Sequence, residues 1–339
     1  MITKNIMMAF ILTSVSMTVM GQSKYIQAVD DFVPAPGQFV NVLPKYEVGD
    51  TQQSMNDKCT AAIGNGANGM ISLGGYGGYV IFHFDHSVVN VKDKMDLYIR
   101  GNGFTNNSEP GIVMVSKDNN GNGKPDDTWY ELKGSADEDS IGKSTYNYTI
   151  TYSRAAADST LTWVDSKGES ATVIKNTFHK QSYYPLWIAD NVLSFTGTLL
   201  PKNAVNKGTS TTPYYVLSNF RYGYVDNSAV TDSTGCSFNI EWAVDADRQS
   251  VSLDKIDFVK VYCAENQTAG WLGETSTEVT GAEDLHPNAT VSTGILSTNA
   301  AISSDEQLHT SAYNLNGQKA VWTSGRKQLM IINGKKVIR

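Results

Sequence analysis

This 339-residue sequence predicts an all-β fold, an antiparallel β-sandwich of the jelly-roll type. Three observations carry that reading. Apolar residues recur with period two in several runs: Met95, Leu97, Ile99; Tyr146, Tyr148, Ile150, Tyr152; and Phe238, Ile240, Trp242. Successive side chains of a strand point to opposite faces, so each run lays an apolar stripe on one side of a sheet. Further strand-like runs at 80–84, 112–116, 129–132, 161–164, 214–220 and 256–263 are short and separated by polar, glycine-rich turns. Helical periodicity is nearly absent, with one short helix predicted at 54–63. One β-sandwich core is therefore expected over residues 22–285.

The stretch 118–127 is the most specific motif inside that core. Asp118, Asn120 and Asn122 place oxygen-bearing side chains at alternate positions, Gly123 permits a sharp turn, and Asp126 and Asp127 follow. A hard cation such as Ca²⁺ takes six to eight oxygen ligands, and this spacing aims several at one point. The first six residues fit the D-x-[DN]-x-[DN]-G loop, but Trp129 stands where an EF-hand needs a bidentate Glu, and strands rather than helices flank the loop. We expect a calcium loop joining two strands, with Asp118, Asn120, Asn122, the Lys124 carbonyl and Asp126 or Asp127 as ligands. A second match, G-x-G-x-x-G at Gly64–Gly69, leads into a strand and not a helix, so it lacks the βαβ setting of a dinucleotide site.

Charged residues make up 18% of the chain and the formal net charge is −7, which argues against nucleic acid or an anionic membrane surface as partner. Residues 1–21 read as a secretory signal, with Lys4 before an apolar run at 6–20 and a cut ahead of Gln22. That run is too short and polar for a membrane span, and no cysteine stands at the cut to accept a lipid. The chain is expected to be exported, at the cell surface or outside the cell. Of the cysteines, Cys59, Cys236 and Cys263, an odd one must stay unpaired; Cys236 and Cys263 border strands and could bridge.

Beyond residue 285 the composition changes. Residues 286–305 are rich in Ser, Thr, Asn and Ala and read as a linker. The tail, 306–339, predicts two short strands, at 313–319 and 329–337, and carries Lys319, Arg326, Lys327, Lys335, Lys336 and Arg339. A small basic strand unit after a linker suits a separately recognised tail.

Several motifs resemble a family of exported cell-surface proteins of gut Bacteroidetes with a jelly-roll, galactose-binding-like core. They include Pro34-Ala35-Pro36-Gly37-Gln38-Phe39, Gly101-Asn102-Gly103-Phe104, Glu109-Pro110-Gly111-Ile112-Val113-Met114-Val115-Ser116 and Asp126-Asp127-Thr128-Trp129-Tyr130-Glu131-Leu132. Gln181-Ser182-Tyr183-Tyr184-Pro185-Leu186-Trp187 and Gly270-Trp271-Leu272-Gly273-Glu274-Thr275-Ser276-Thr277-Glu278 complete the set. Some relatives are encoded beside outer-membrane cobalamin-uptake systems, so the resemblance implies capture of a corrinoid and an uptake receptor as partner. The tail, with Tyr313-Asn314-Leu315-Asn316-Gly317 and Ile331-Ile332-Asn333-Gly334-Lys335-Lys336-Val337, is similar to C-terminal sorting sequences of Bacteroidetes secretion.

Aromatic residues are the candidates for ligand contact: Tyr183, Tyr184 and Trp187; Tyr222 and Tyr224 with Asp226; and Trp271 in a glycine-bounded turn. Aromatic faces stack on sugar rings or flat macrocycles while neighbouring polar groups set orientation. Tyr183-Tyr184-Pro185 is expected to be exposed, because proline disfavours a central strand. The acidic group Glu274, Glu278, Glu283 and Asp284 suits a solvated face, a second cation site or a catalytic pair. The favoured function is a non-catalytic, calcium-stabilised module that binds a glycan or a corrinoid. The alternatives are a polysaccharide-degrading enzyme using two of Glu131, Glu274, Glu278 and Asp284, and a purely structural surface protein.

Overall fold

The computed structural model describes residues 21–154 and 161–291, together with the backbone of four short strands beyond residue 311. Residues 1–20 of the expected signal and 292–305 of the expected linker lie outside the described residues. The chain divides into two compact units, with the break between Ala289 and Thr290.

The first unit is an all-β structure of antiparallel sheets. Its centre is a six-stranded sheet in the order Ala28–Val33, Tyr79–Val89, Lys255–Cys263, Gly111–Ser116, Trp129–Leu132, Ala243–Val244. This sheet is buried on both faces, so its strands are more continuously apolar than a half-buried strand requires. On one face Val80, Phe82, Val113, Val115, Val259 and Val261 meet Leu97, Ile99, Phe238 and Ala282 of a three-stranded sheet. Over the opposite face lies a four-stranded sheet in the order Val192–Leu199, Thr145–Arg154, Leu161–Asp165, Ser170–Thr172, bringing Tyr148, Ile150, Tyr152 and Phe195 inward. A register shift between Ile256 and Phe258 changes the alternation within one strand, so Ile256, Val259 and Val261 all reach the same core.

The alternation at Phe238–Trp242 does not make a strand throughout. Asn239 stops it: its side chain accepts the Glu241 N–H at 2.7 Å and caps a 3₁₀ turn, Ile240–Trp242, after a strand of only Ser237–Phe238. The predicted helix starts two residues earlier than expected, at Gln52–Ile63, because Thr51 and Ser54 form a reciprocal capping box. The helix lies along the open side of strand Ala28–Val33 and hydrogen-bonds its backbone through side chains one turn apart. Gln52 Nε2 donates to Phe32 O (2.8 Å), Asn56 Nδ2 donates to Asp30 O (2.7 Å), and Thr60 Oγ1 accepts from Val29 N (2.9 Å). Gly64, the first glycine of the G-x-G-x-x-G match, caps the C-terminal end of this helix, so the motif offers no helix N-terminus to a phosphate.

The three cysteines are free and buried. Cys236 and Cys263 do not bridge. Among the described residues no helix is long and apolar enough to cross a membrane. The second unit contains four antiparallel strands, ordered Lys319–Ala320, Ala312–Tyr313, Leu329–Ile332, Lys335–Ile338, where the sequence predicts two.

Candidate functional site

A cleft of about 590 Å³ lies between the four-stranded sheet and the segment around Trp271. Tyr76 and Tyr152 are buried at its base. Trp163 joins them because it pairs across strands with Tyr152 and shares its face. Trp271 and Phe178 stand at the rim, 63% and 79% exposed. Asn176 ties the two rims together, its Nδ2 donating to Trp271 O (3.0 Å) and Leu272 O (3.3 Å). Lys175, Lys202, Asn266 and Thr268 add polar edges to this aromatic wall. Ligand sites typically have this mixture and size, roughly 300–1,000 Å³.

Of the aromatic residues predicted from sequence, Trp271 alone lines the cleft. Tyr183 and Tyr184 are 0% exposed, and Pro185 is buried beside them, so the expectation that this segment is exposed is wrong. The segment turns inward behind the cleft wall. There the Tyr183 hydroxyl accepts the Asn176 N–H (2.7 Å) and the Tyr184 hydroxyl donates to Asp190 O (2.7 Å). Trp187 stacks on Phe32 and Tyr46 and donates to Gln52 Oε1, which makes it part of the helix packing. Tyr222 leans on Trp242 and Glu138, while Tyr224 is buried with its hydroxyl accepting the Ala136 N–H. Tyr76, Tyr152, Trp163 and Phe178 were not singled out in the sequence. The shared parity of Tyr152 and Trp163 was the available signal.

Asp226 is also buried and does not face the cleft. It has a left-handed backbone (φ 59°) and its carboxylate ties two strand ends together. Oδ1 accepts from Asn102 N and Gly103 N (2.6 Å each), and Oδ2 accepts from Glu278 N (2.8 Å). Gly101 and Gly103 leave room for this: a Cβ on Gly101 would lie 2.3 Å from Asp226 Oδ1. Carboxylate oxygens of Glu109, Asp226 and Glu278 all lie within 4.8 Å of one another. Ser276 serves two of them, its N–H donating to Glu109 Oε1 (3.3 Å) and its hydroxyl to Glu278 Oε1 (2.7 Å). Glu265 and Glu274 lie close by, and each keeps one buried oxygen, Oε1 and Oε2 respectively, with no hydrogen-bond partner. Burial pushes Glu278 up to about 7 and Glu274 up to about 8. Burial, with the charge of neighbouring carboxylates, also holds Glu109, Asp226 and Glu265 well above the ordinary carboxyl range.

The remaining acidic candidates are committed elsewhere. Glu131 pairs with Arg248 (2.6 Å) and accepts from Thr198 Oγ1. Asp284 meets His86 Nε2 (2.7 Å), and Glu283 meets Lys24 (2.8 Å).

The 118–127 loop joins strands Gly111–Ser116 and Trp129–Leu132, which pair antiparallel as the sequence predicts. Asp118 accepts N–H groups from Gly121, Asn122 and Gly123. Asn120 and Asn122 both donate through Nδ2 to the Asp126 carboxylate (3.0 and 2.9 Å). Lys124 contributes its N–H to Asn122 Oδ1, and Asp127 accepts from Asn119 N. Asp118, Asn120, Asn122 and Asp126 are thus linked through hydrogen bonds within one turn. The two amides turn Nδ2 toward Asp126, so the side-chain oxygens of the loop do not meet at one point in this arrangement.

The chain matches no protein-family model and no curated protein. The fold defines its class, an all-β antiparallel sandwich with an aromatic cleft.

Proposed function

We propose that this protein is an exported, calcium-stabilised, non-catalytic binding protein that captures a small organic ligand at the cell surface. The observation that carries the reading is the aromatic cleft, with Tyr76, Tyr152 and Trp163 inside and Trp271 and Phe178 at its mouth. Stacked rings bind the faces of sugars or the flank of a corrin macrocycle. A cleft of about 590 Å³ encloses a short glycan, whereas a complete corrinoid would be gripped by one part. The 118–127 loop would hold Ca²⁺ as a staple remote from the ligand. The sorting-like tail would place the protein outside the cell, where an outer-membrane uptake receptor could receive the ligand.

Calorimetry with cobalamin and an oligosaccharide panel tests this reading, with Ca²⁺ and with chelator. Trp271→Ala should weaken binding about 5-fold, the equivalent of about 1 kcal/mol for one stacked ring. It should leave the melting temperature unchanged, because Trp271 is largely exposed. Silence with every ligand would remove the proposal. Polysaccharide hydrolysis is less well supported. Burial raises both Glu274 and Glu278, and neither is set apart as the ionised base or nucleophile that a glycosidase pair requires.

A further inference from the structure

We propose that Glu109, Asp226 and Glu278 form a buried site for one divalent cation of the calcium type, separate from the 118–127 loop. Their oxygens lie within 4.8 Å of one another. Two ligands at 2.3–2.6 Å from one Ca²⁺ stand at most about 5 Å apart, so one ion can reach all three. Asp226 Oδ1 takes two backbone donors and Oδ2 only one, the Glu278 N–H, so Oδ2 keeps a lone pair for the ion.

The charge arrangement points the same way. Among the described residues, no lysine, arginine or histidine forms an ion pair with any of the three. Three carboxylates at this separation repel unless a cation or protons intervene. A second observation is independent of the cluster. Glu265 is 1% exposed, its Oε1 has no partner, and its charge acts on both Glu109 and Asp226. An orphaned buried carboxylate oxygen is costly, and a nearby cation compensates it. Access exists as well, since a recess of about 390 Å³ is lined by Asn102, Asn107, Glu109, Glu274 and Glu278.

The ligands select the ion. An all-oxygen set without His or Cys disfavours zinc. Mg²⁺ keeps several waters and a strict octahedron, which an enclosed site of glutamates and one aspartate does not provide. Ca²⁺ tolerates irregular oxygen cages.

The test uses the full chain carrying Asp118→Ala, which removes the loop's first ligand and leaves the cluster intact. After chelator treatment, calorimetry with CaCl₂ and with MgCl₂ is followed by thermal melts. The expected result is one Ca²⁺ retained per chain and a calcium-dependent rise in melting temperature, with Mg²⁺ weaker. Adding Glu109→Gln or Glu278→Gln should weaken that binding on the order of 100-fold, because the site loses a charged ligand. Glu109 receives only one long backbone hydrogen bond, so its glutamine variant preserves the fold if Glu278→Gln does not. In chelator each glutamine variant should be at least as stable as its parent, since repulsion is relieved. The proposal is overturned if the Asp118→Ala protein binds no Ca²⁺, or if the glutamine variants bind it as tightly as their parent.

Discussion

Replacing Glu278 with glutamine should change how stability depends on pH. Glu278 is 2% exposed, and burial raises its carboxyl from the ordinary 4.5 to about 7. Between those values the folded chain holds a proton that the unfolded chain has released. The contribution of Glu278 therefore falls as pH rises through the window and is gone above about 7, while Glu274, raised to about 8, continues the decline in both proteins. A shift of about 2.5 pH units at 1.36 kcal/mol per unit corresponds to about 3 kcal/mol. The measurement is urea denaturation in chelator at steps from about pH 5 to about pH 8, for wild type and Glu278→Gln. Wild type should lose stability across the range, and the variant should lose about 3 kcal/mol less. His83 adds a decline of its own, because its hydrogen bond to Asp30 raises it, and that stabilisation disappears as pH rises through its folded value. That decline is common to both proteins and cancels in the difference. Identical slopes in wild type and variant would refute the reasoning. So would a wild type that becomes more stable from about pH 5 to about pH 7.

Other outcomes follow from the packing and from the cleft. Tyr183→Ala should cost about 3–5 kcal/mol, as deletion of a fully buried ring does. Tyr183→Phe should cost only about 1 kcal/mol, for the lost acceptor of the Asn176 N–H, measured in the same denaturation assay. A Tyr183→Ala protein of full stability that has lost its ligand would show that the residue acts at the surface after all. Glu131→Gln should cost about 2 kcal/mol, because Arg248 is left half-buried without its counter-charge. It should leave binding in the Trp271 cleft unchanged by calorimetry.

The sheet architecture was legible because alternation is a local signal. Leu97 and Ile99, and Tyr148, Ile150 and Tyr152, point inward as their spacing requires. Where a neighbouring side chain competed for the backbone, as Asn239 does with its cap, the same alternation misled. Burial of the central sheet on both faces was less visible, since it depends on which second layer covers it. The Tyr183 segment failed for a similar reason. Proline indicates that a segment leaves the sheet, but it does not say whether the chain then runs outward or, as here, into the molecule. The acidic residues were seen as one group in the sequence, yet the fold separates them. Glu278 joins Glu109 and Asp226, while Glu283 pairs with Lys24 and Asp284 is hydrogen-bonded to His86. Those three carboxylates come from distant segments, and no spacing pattern predicts their meeting.

The helix Gln52–Ile63 has a consequence for how this chain meets other molecules. A sheet margin with unspent N–H and C=O groups invites strand addition from another molecule, the first step toward fibrils or domain exchange. Here Gln52, Asn56 and Thr60 occupy those groups with amide and hydroxyl side chains. The helix thus does the work of a seventh strand while presenting no template of its own. A crowded protein can in this way keep a long central sheet and still refuse its neighbours' strands at that margin.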